Sequence, residues 1–352
     1  MNKRTDDAAV SAQSHVPFKD YNIELIRIVS CAMVVVIHVT NYFCRTFETI
    51  YRGEYLFALV LNTVSRVSVP CFFMISGAFL LKRKETVHRN NLRFIRFLKV
   101  LGFWSVIYLL FSVCYMETPY DIKKILYVPV EKHLWYLYMV IPIYLVLVYL
   151  QILCTGMDKK LEKRLLYIGG VFLALVYVGS YFQIDTEYNL PIIWDRPYIY
   201  FFILGHFLYK YKDTFKIRTS TLLLVFGVSN LLNLILTYSV SSWRGEHFDR
   251  ILEYGSPLVM VSACAFFVLM IRIKAGNIQP GKNSKKAVDM LSSCSFGIYL
   301  IHIIFLDIFK KHVKADAVSV WAAAPLLIVS IFTISFLSIY LIRKLPGGRQ
   351  IT

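Results

Sequence analysis

The 352-residue chain is 57% hydrophobic and 17% charged. A soluble domain averages about 25% charged residues, so this balance excludes an ordinary water-soluble fold. Repeated apolar runs of about 20 residues predict transmembrane helices; the alternating strands of a membrane barrel would be only about 10 residues long. The expected fold class is all-α integral membrane, a bundle of about ten transmembrane helices.

Spans are expected near 23–43, 55–80, 94–116, 134–154, 164–182, 196–209, 220–240, 252–272, 288–308 and 318–342. The sixth is short and opens on the polar "WDRP". A single membrane domain over 23–343 is expected between cytoplasmic tails at 1–22 and 344–352, without a cleavable leader. The longest connection, 273–287, reads "IKAGNIQPGKNSKKA" and is expected as a flexible basic loop. The net charge of +17 invites a nucleic-acid reading, but its placement argues otherwise. With the amino end inside, two-thirds of the 39 Lys and Arg fall on cytoplasmic segments, while most Asp and Glu fall outside. That is the pattern that orients membrane helices, so both termini are expected in the cytoplasm. The excess charge then serves topology and contact with anionic lipid. The bilayer is the expected partner, nucleic acid is not, and a homo-oligomer stays open. The seven cysteines lie in or at the ends of spans with no CxxC pair, so they read as small buried apolar residues and no metal site is expected.

In chain order, the first span carries two groups that lipid disfavours. Arg27 and His38 in "LIRIVSCAMVVVIHVTNYF" are eleven steps apart, about three turns plus 20°, so they share one face about 16 Å apart. Glu24, one turn before Arg27, can neutralise it. Two readings stay open at this point: a snorkelling arginine with a packing histidine, or a functional polar face, the default for ionisable groups inside a membrane. The second span, "NTVSRVSVPCFFMISGAFLL", places Arg66 near mid-membrane, where it needs an anionic partner or ligand. Pro70 should loosen the helix there, and Ser76 and Gly77 permit close helix packing. Arg93 and Arg96 in "NLRFIRFLK" form a two-guanidinium patch suited to phosphate, or an ordinary positive-inside cluster. "EKHLWYLYMVIPIYL" opens the fourth span with His133, Trp135 and Tyr136. They read as interfacial belt residues or as a platform for stacking a sugar. His206 sits near a cytoplasmic end and reads as unremarkable. In the ninth span His302 of "SFGIYLIH" lies at a depth like that of His38.

Taken together, the Arg27/His38 pair, "VPCFFMISGAFLL" at 69–81, the Arg93/Arg96 pair, "HLWYL" at 133–137, "YFFILGHFL" at 200–208 and "SFGIYLIH" at 295–302 resemble the acyltransferase-3 family. The matches run in family order over most of the chain. Within that family they are similar to the branch that O-acetylates surface polysaccharides. The resemblance implies a multi-pass enzyme of the bacterial inner membrane. It would move an acyl group, usually acetyl, from cytoplasmic acetyl-CoA to a hydroxyl of an extracytoplasmic or lipid-linked glycan. His38 is then the catalytic histidine and Arg27 its motif partner. Glu24 stands where many members have aspartate, and Arg66 could stabilise a developing oxyanion. Arg93 and Arg96 would hold the coenzyme A phosphates, and His133, Trp135 and His302 would meet the acceptor. With no hydrolase-like domain appended, the chain is expected to act alone or to pass its acyl group to a separate partner. The rival reading is a transporter of a small polar substrate without acyl chemistry, because buried Arg and His also line transport paths and related membrane domains occur fused to racemases.

Overall fold

The computed structural model describes residues 20–82, 84–184, 196–273 and 282–352. The amino-terminal segment through residue 19 and most of the connection at 273–287 lie outside the described residues. Among the described residues the chain is helical throughout: α1 (Tyr21–Cys44), α2 (Arg52–Ser65), α3 (Ser68–Leu80), α4 (Val87–Cys114), α5 (Trp135–Leu145), α6 (Leu147–Gly156), α7 (Lys159–Tyr181), α8 (Tyr198–Lys210), α9 (Thr219–Arg244), α10 (Pro257–Ile271), α11 (Lys282–His312), α12 (Val320–Ile342) and the short α13 (Gly348–Ile351).

Among the described residues eight helical stretches are long and apolar enough to cross a membrane, and the pair α5–α6, bent by 61°, is a broken span or a re-entrant loop. The expected sixth span is α8, whose 13 residues rise about 20 Å, short of the hydrocarbon core. The expected second span is one stretch, Arg52–Leu80, with its helical bonding interrupted between α2 and α3. Pro70 has no N–H to give to the carbonyl four residues earlier, that of Arg66, and its ring crowds that carbonyl. The chain therefore turns at Arg66 and Val67, between α2 and α3. In the expected fourth span Pro142 and the non-helical Val146 separate α5 from α6. Asn90 of α4 donates to the Tyr144 carbonyl at 2.7 Å, satisfying an acceptor left over at that bend.

α1 is the hub, packed against α2, α3, α10, α11 and α12. Its start is fixed twice over. Asp20 caps the helix by accepting from the Asn22 amide. The Asn22 side chain in turn donates to the carbonyls of Ile271 and Ile273 at the end of α10. α3 and α8 form the most extensive helix pair. Gly77 and Gly205 allow it: a Cβ on Gly77 would sit 1.7 Å from the Phe202 carbonyl oxygen, and one on Gly205 would sit 2.2 Å from Met74 Cα. α4, α7, α9 and α12 form the outside, presenting Leu223, Leu224, Leu231 and Leu236 of α9 and Leu326, Val329, Leu337 and Leu341 of α12 as an exposed apolar belt. A face of that extent belongs in lipid. The residues after α12 fold back on the bundle. α13 lies on α4, where the Trp104 indole donates to the Ile351 carbonyl at 2.8 Å.

Candidate active site

The polar groups of α1 point inward, into a chain of cavities. At its start Arg27 pairs with Glu24 at 2.7 Å and donates to the Ser292 hydroxyl at 3.2 Å. Ser292 itself donates to the Glu24 carboxylate, closing a three-membered cluster between α1 and α11. Glu24 is buried, so the guanidinium stabilises a charge that would be costly alone. Arg27 remains half-exposed and lines two cavities at once.

The first is a basic cavity of about 430 Å³ lined by Arg27, Arg93, Arg96 and Arg343, with Tyr144 and Ser292 among its other walls. Arg96 is exposed there, whereas Arg93 is held by Glu85 through both guanidinium nitrogens. The two-guanidinium patch expected from spacing is therefore unequal: Arg93 is neutralised locally and Arg96 is not. Arg343 from the end of α12 joins them, contacting only the Thr352 hydroxyl, at 3.3 Å, among the described residues. Sequence reading missed Arg343, because about 250 residues separate it from Arg93 and Arg96 and its local context is that of any charge following a span.

The second cavity, about 190 Å³, continues from Arg27 to His38 and shares Arg27, Phe97, Ser295 and Phe296 with the first. Its walls are chiefly apolar and aromatic, including Val69, Phe72, Trp135, Tyr136, Tyr254 and Tyr299. Trp135 packs against Tyr198 and Tyr254, with ring centroids at 5.0 and 5.9 Å, so it is part of the cavity wall and not of an interfacial belt. His133 likewise turns inward and is buried.

Three imidazoles meet at the inner end. His38 lies 5.0 Å from His302 and 6.4 Å from His133, and those two lie 5.5 Å apart, centroid to centroid. The backbone orients two of them. His302 Nδ1 is 2.7 Å from the Tyr299 carbonyl and His133 Nε2 is 3.2 Å from the Leu300 carbonyl. A carbonyl only accepts, so each of those nitrogens carries a proton, and in the neutral ring the other nitrogen presents a lone pair. His302 Nε2 and His133 Nδ1 are buried and without a partner among the described residues. The Leu300 carbonyl also accepts from Tyr108 at 2.7 Å, and Tyr299 donates to the His133 carbonyl, so α4, α5 and α11 are tied together around the cluster. His38 makes no hydrogen bond among the described residues and faces open space.

Beyond His38 a third cavity, about 320 Å³, opens on the opposite side, lined by Asn41, Tyr42, Arg45, Glu131, Lys132 and Lys310 together with His38 and His133. From Arg27 to Arg45 α1 climbs 18 residues, about 27 Å, close to the thickness of the hydrocarbon core. The cavities form a seam along α1, and His38 is a wall of both the second and the third.

Arg66 lines none of these three cavities. Its Nε donates to Asn62 Oδ1 at 2.8 Å and its NH2 to Asn41 Oδ1 at 3.4 Å. Among the described residues no carboxylate lies within salt-bridge distance, so the anionic partner expected at this depth is replaced by neutral amide oxygens. Asn62 also donates to Thr40 and Asn41, at 2.9 and 2.8 Å, and the network braces the half of α1 that carries His38. His206 is buried on α8 against Phe207, away from the seam.

These features define a multi-pass helical membrane protein with an arginine-lined mouth at one face and a histidine cluster midway along a transverse cavity. The chain belongs to the acyltransferase-3 family: the family's model, described as an acyltransferase domain, matches residues 20–342. The chain is also 25% identical over 358 residues to an amino-acid racemase of Enterococcus faecalis, an alignment that covers 93% of this chain and 47% of the relative. It therefore spans about half the length of that curated relative. No solved structure matches it.

Proposed function

We propose that the protein is an O-acetyltransferase that takes an acetyl group from acetyl-CoA at the arginine-lined mouth and passes it to a hydroxyl of a glycan reaching His38 from the other side. One observation carries this reading: His38 is a wall of both the donor-side cavity and the opposite cavity. A donor and an acceptor confined to opposite sides of a membrane can meet only at such a residue. The site fits the donor in chemistry as well. Arg96, Arg343 and Arg27 suit the phosphates of the nucleotide end, and the narrow aromatic cavity beyond them suits the extended, largely apolar arm that ends in the thioester. The basic mouth is then the cytoplasmic face, in keeping with the excess of Lys and Arg on that side, and the membrane is the bacterial inner membrane.

In the reaction His38 withdraws the proton of the acceptor hydroxyl as its oxygen attacks the thioester carbonyl. The carbon–sulfur bond breaks, and the imidazolium returns the proton to the departing thiolate. The products are an O-acetyl ester and a free thiol. In a two-step variant the imidazole attacks the carbonyl, the acetylated ring gives its N–H proton to the departing thiolate, and the acceptor hydroxyl then takes the acetyl group while its proton returns to the ring. His302 and His133, with protons fixed on the backbone side, turn lone pairs toward the interior and favour a neutral, proton-accepting cluster.

The test uses the purified full chain in detergent with radiolabelled acetyl-CoA and a lipid-linked glycan. Label should enter the glycan in the wild type and should not in His38→Ala, which should still bind coenzyme A. Transfer surviving in His38→Ala would refute the assignment. A second reading, transport of a small polar substrate such as an amino acid, draws on the relative named for amino-acid racemisation. Uptake of a labelled amino acid into proteoliposomes without acyl-CoA, coupled with no acetyl transfer, would establish it in place of the first.

A further inference from the structure

The cavity beyond His38 is charged in a particular way. Arg45, Lys132 and Lys310 face it against one carboxylate, Glu131. Lys310 is partly engaged by Asp307 at 2.9 Å, whereas neither Arg45 nor Lys132 has a salt-bridge partner among the described residues. Glu131 spends one carboxylate oxygen on the Lys132 backbone amide at 2.9 Å, and burial pushes its pKa up, weakening it as a counter-charge. Behind the wall the guanidinium of Arg66 bonds to Asn41, itself a lining residue, and meets no carboxylate at salt-bridge distance among the described residues. Three cations therefore face the opening, opposed by Glu131 on its wall and by Asp307 beside Lys310, at a place where nearby protein lowers the effective dielectric. A neutral sugar would need none of this. Its hydroxyls are served by amides, carboxylates and aromatic faces, whereas the exposed Arg45 and Lys132 offer two cations without a carboxylate of their own among the described residues.

We infer that this cavity is an acceptor subsite selecting a glycan with an anionic group, a carboxylate or a phosphate, close to the hydroxyl that meets His38, with Arg45 and Lys132 as its recognition pair. The inference rests on the acyl-transfer reading for the word acceptor, but the binding it asserts does not require transfer to occur. Arg45, which follows the last residue of α1, lies about two turns beyond His38. An anionic group held there places the adjoining sugar ring against Asn41 and Tyr42, in reach of the imidazole.

Binding to the purified chain in a neutral detergent, followed by equilibrium dialysis, separates the outcomes. The probes are tetragalacturonate for carboxylate, polyprenyl-diphosphate-linked N-acetylglucosamine for phosphate, and maltotetraose as the neutral comparison. At least one anionic probe should bind about tenfold or more tightly than maltotetraose, about 1.4 kcal/mol or more. Which one does identifies the source of the charge. In the double variant Arg45→Gln, Lys132→Gln that preference should fall about tenfold, with the thermal midpoint of the protein unchanged and coenzyme A binding intact. Equal binding of all three probes, or a preference that survives in the double variant, would overturn the inference. Acetate transfer is measured on the same samples: its absence with intact anion-selective binding counts against the acetyltransferase reading and leaves the subsite standing.

Discussion

The contact between α3 and α8 gives a sharp test of how the cavity wall is built. In Gly77→Ala the new methyl would lie 1.7 Å from the Phe202 carbonyl oxygen and 2.6 Å from its carbon, against the Cβ contacts of about 3.4 Å or more that packed interiors tolerate. No flexible side chain can retreat, because the atoms it meets are backbone. The helices must part by more than 1 Å, which strips close contacts along the interface and costs roughly 3 kcal/mol, the upper end of overpacking penalties. α3 also carries Val69, Phe72, Ile75 and Ser76 of the cavity wall, so the displacement should impair donor binding along with stability. Gly102→Ala and Gly227→Ala are matched controls: nothing lies within 4 Å of either added Cβ, and each should be neutral or stabilising by about 0.5–1 kcal/mol. Thermal unfolding in detergent, read by tryptophan fluorescence, should show Gly77→Ala roughly 5–10 °C below wild type and the controls at or slightly above it. A Gly77→Ala protein with an unchanged midpoint would show that α3 and α8 do not touch backbone to backbone, and the reasoning would fail.

Further outcomes follow from the same geometry. Arg343→Gln and Arg96→Gln should each raise the Michaelis constant for acetyl-CoA about tenfold, about 1.4 kcal/mol, with the difference from wild type shrinking as salt is added; a loss confined to kcat would count against a phosphate-binding role. Asn62→Leu removes the acceptor for Arg66 Nε and two donors to α1, so it should destabilise the protein by about 2–4 kcal/mol, seen as a lower midpoint in the same unfolding assay. His247, in the connection after α9, is half enclosed beside the Tyr55 hydroxyl at 2.9 Å, and chiefly its burial lowers its pKa to about 4. The unfolded chain takes up this proton near pH 6.5 and the folded chain only near pH 4, so the contribution is complete above 6.5 and is lost as pH falls through that window. The loss amounts to up to about 3 kcal/mol. Midpoints measured from pH 7 to pH 4 should fall, and His247→Gln should flatten the slope.

Much of this was legible in the order of residues. The length of the apolar runs decides membrane helices, because no other structure satisfies backbone groups in lipid. A spacing of eleven residues puts Arg27 and His38 on one face, because helical period is a local property of the chain. Gly77 reads as a close-packing residue for the same kind of reason, and His302 was placed at the right depth by counting from a span end. Depth and face, however, say nothing of which other helices supply the neighbours. That Arg93 is neutralised by Glu85 while Arg343 is brought to Arg96 was settled by the meeting of α4 and α12 at one face. That His133 and Trp135 turn into a cavity, when as isolated residues they suit an interface equally well, was settled by how the start of α5 sits against α3, α4 and α11. The unpaired arginine at mid-membrane found amide oxygens on α1 and α2 where charge alone called for a carboxylate. Local periodicity is written in the sequence because each turn of helix is made by adjacent residues. The seam across the bilayer belongs to the tertiary structure, because its walls come from segments hundreds of residues apart whose meeting depends on packing.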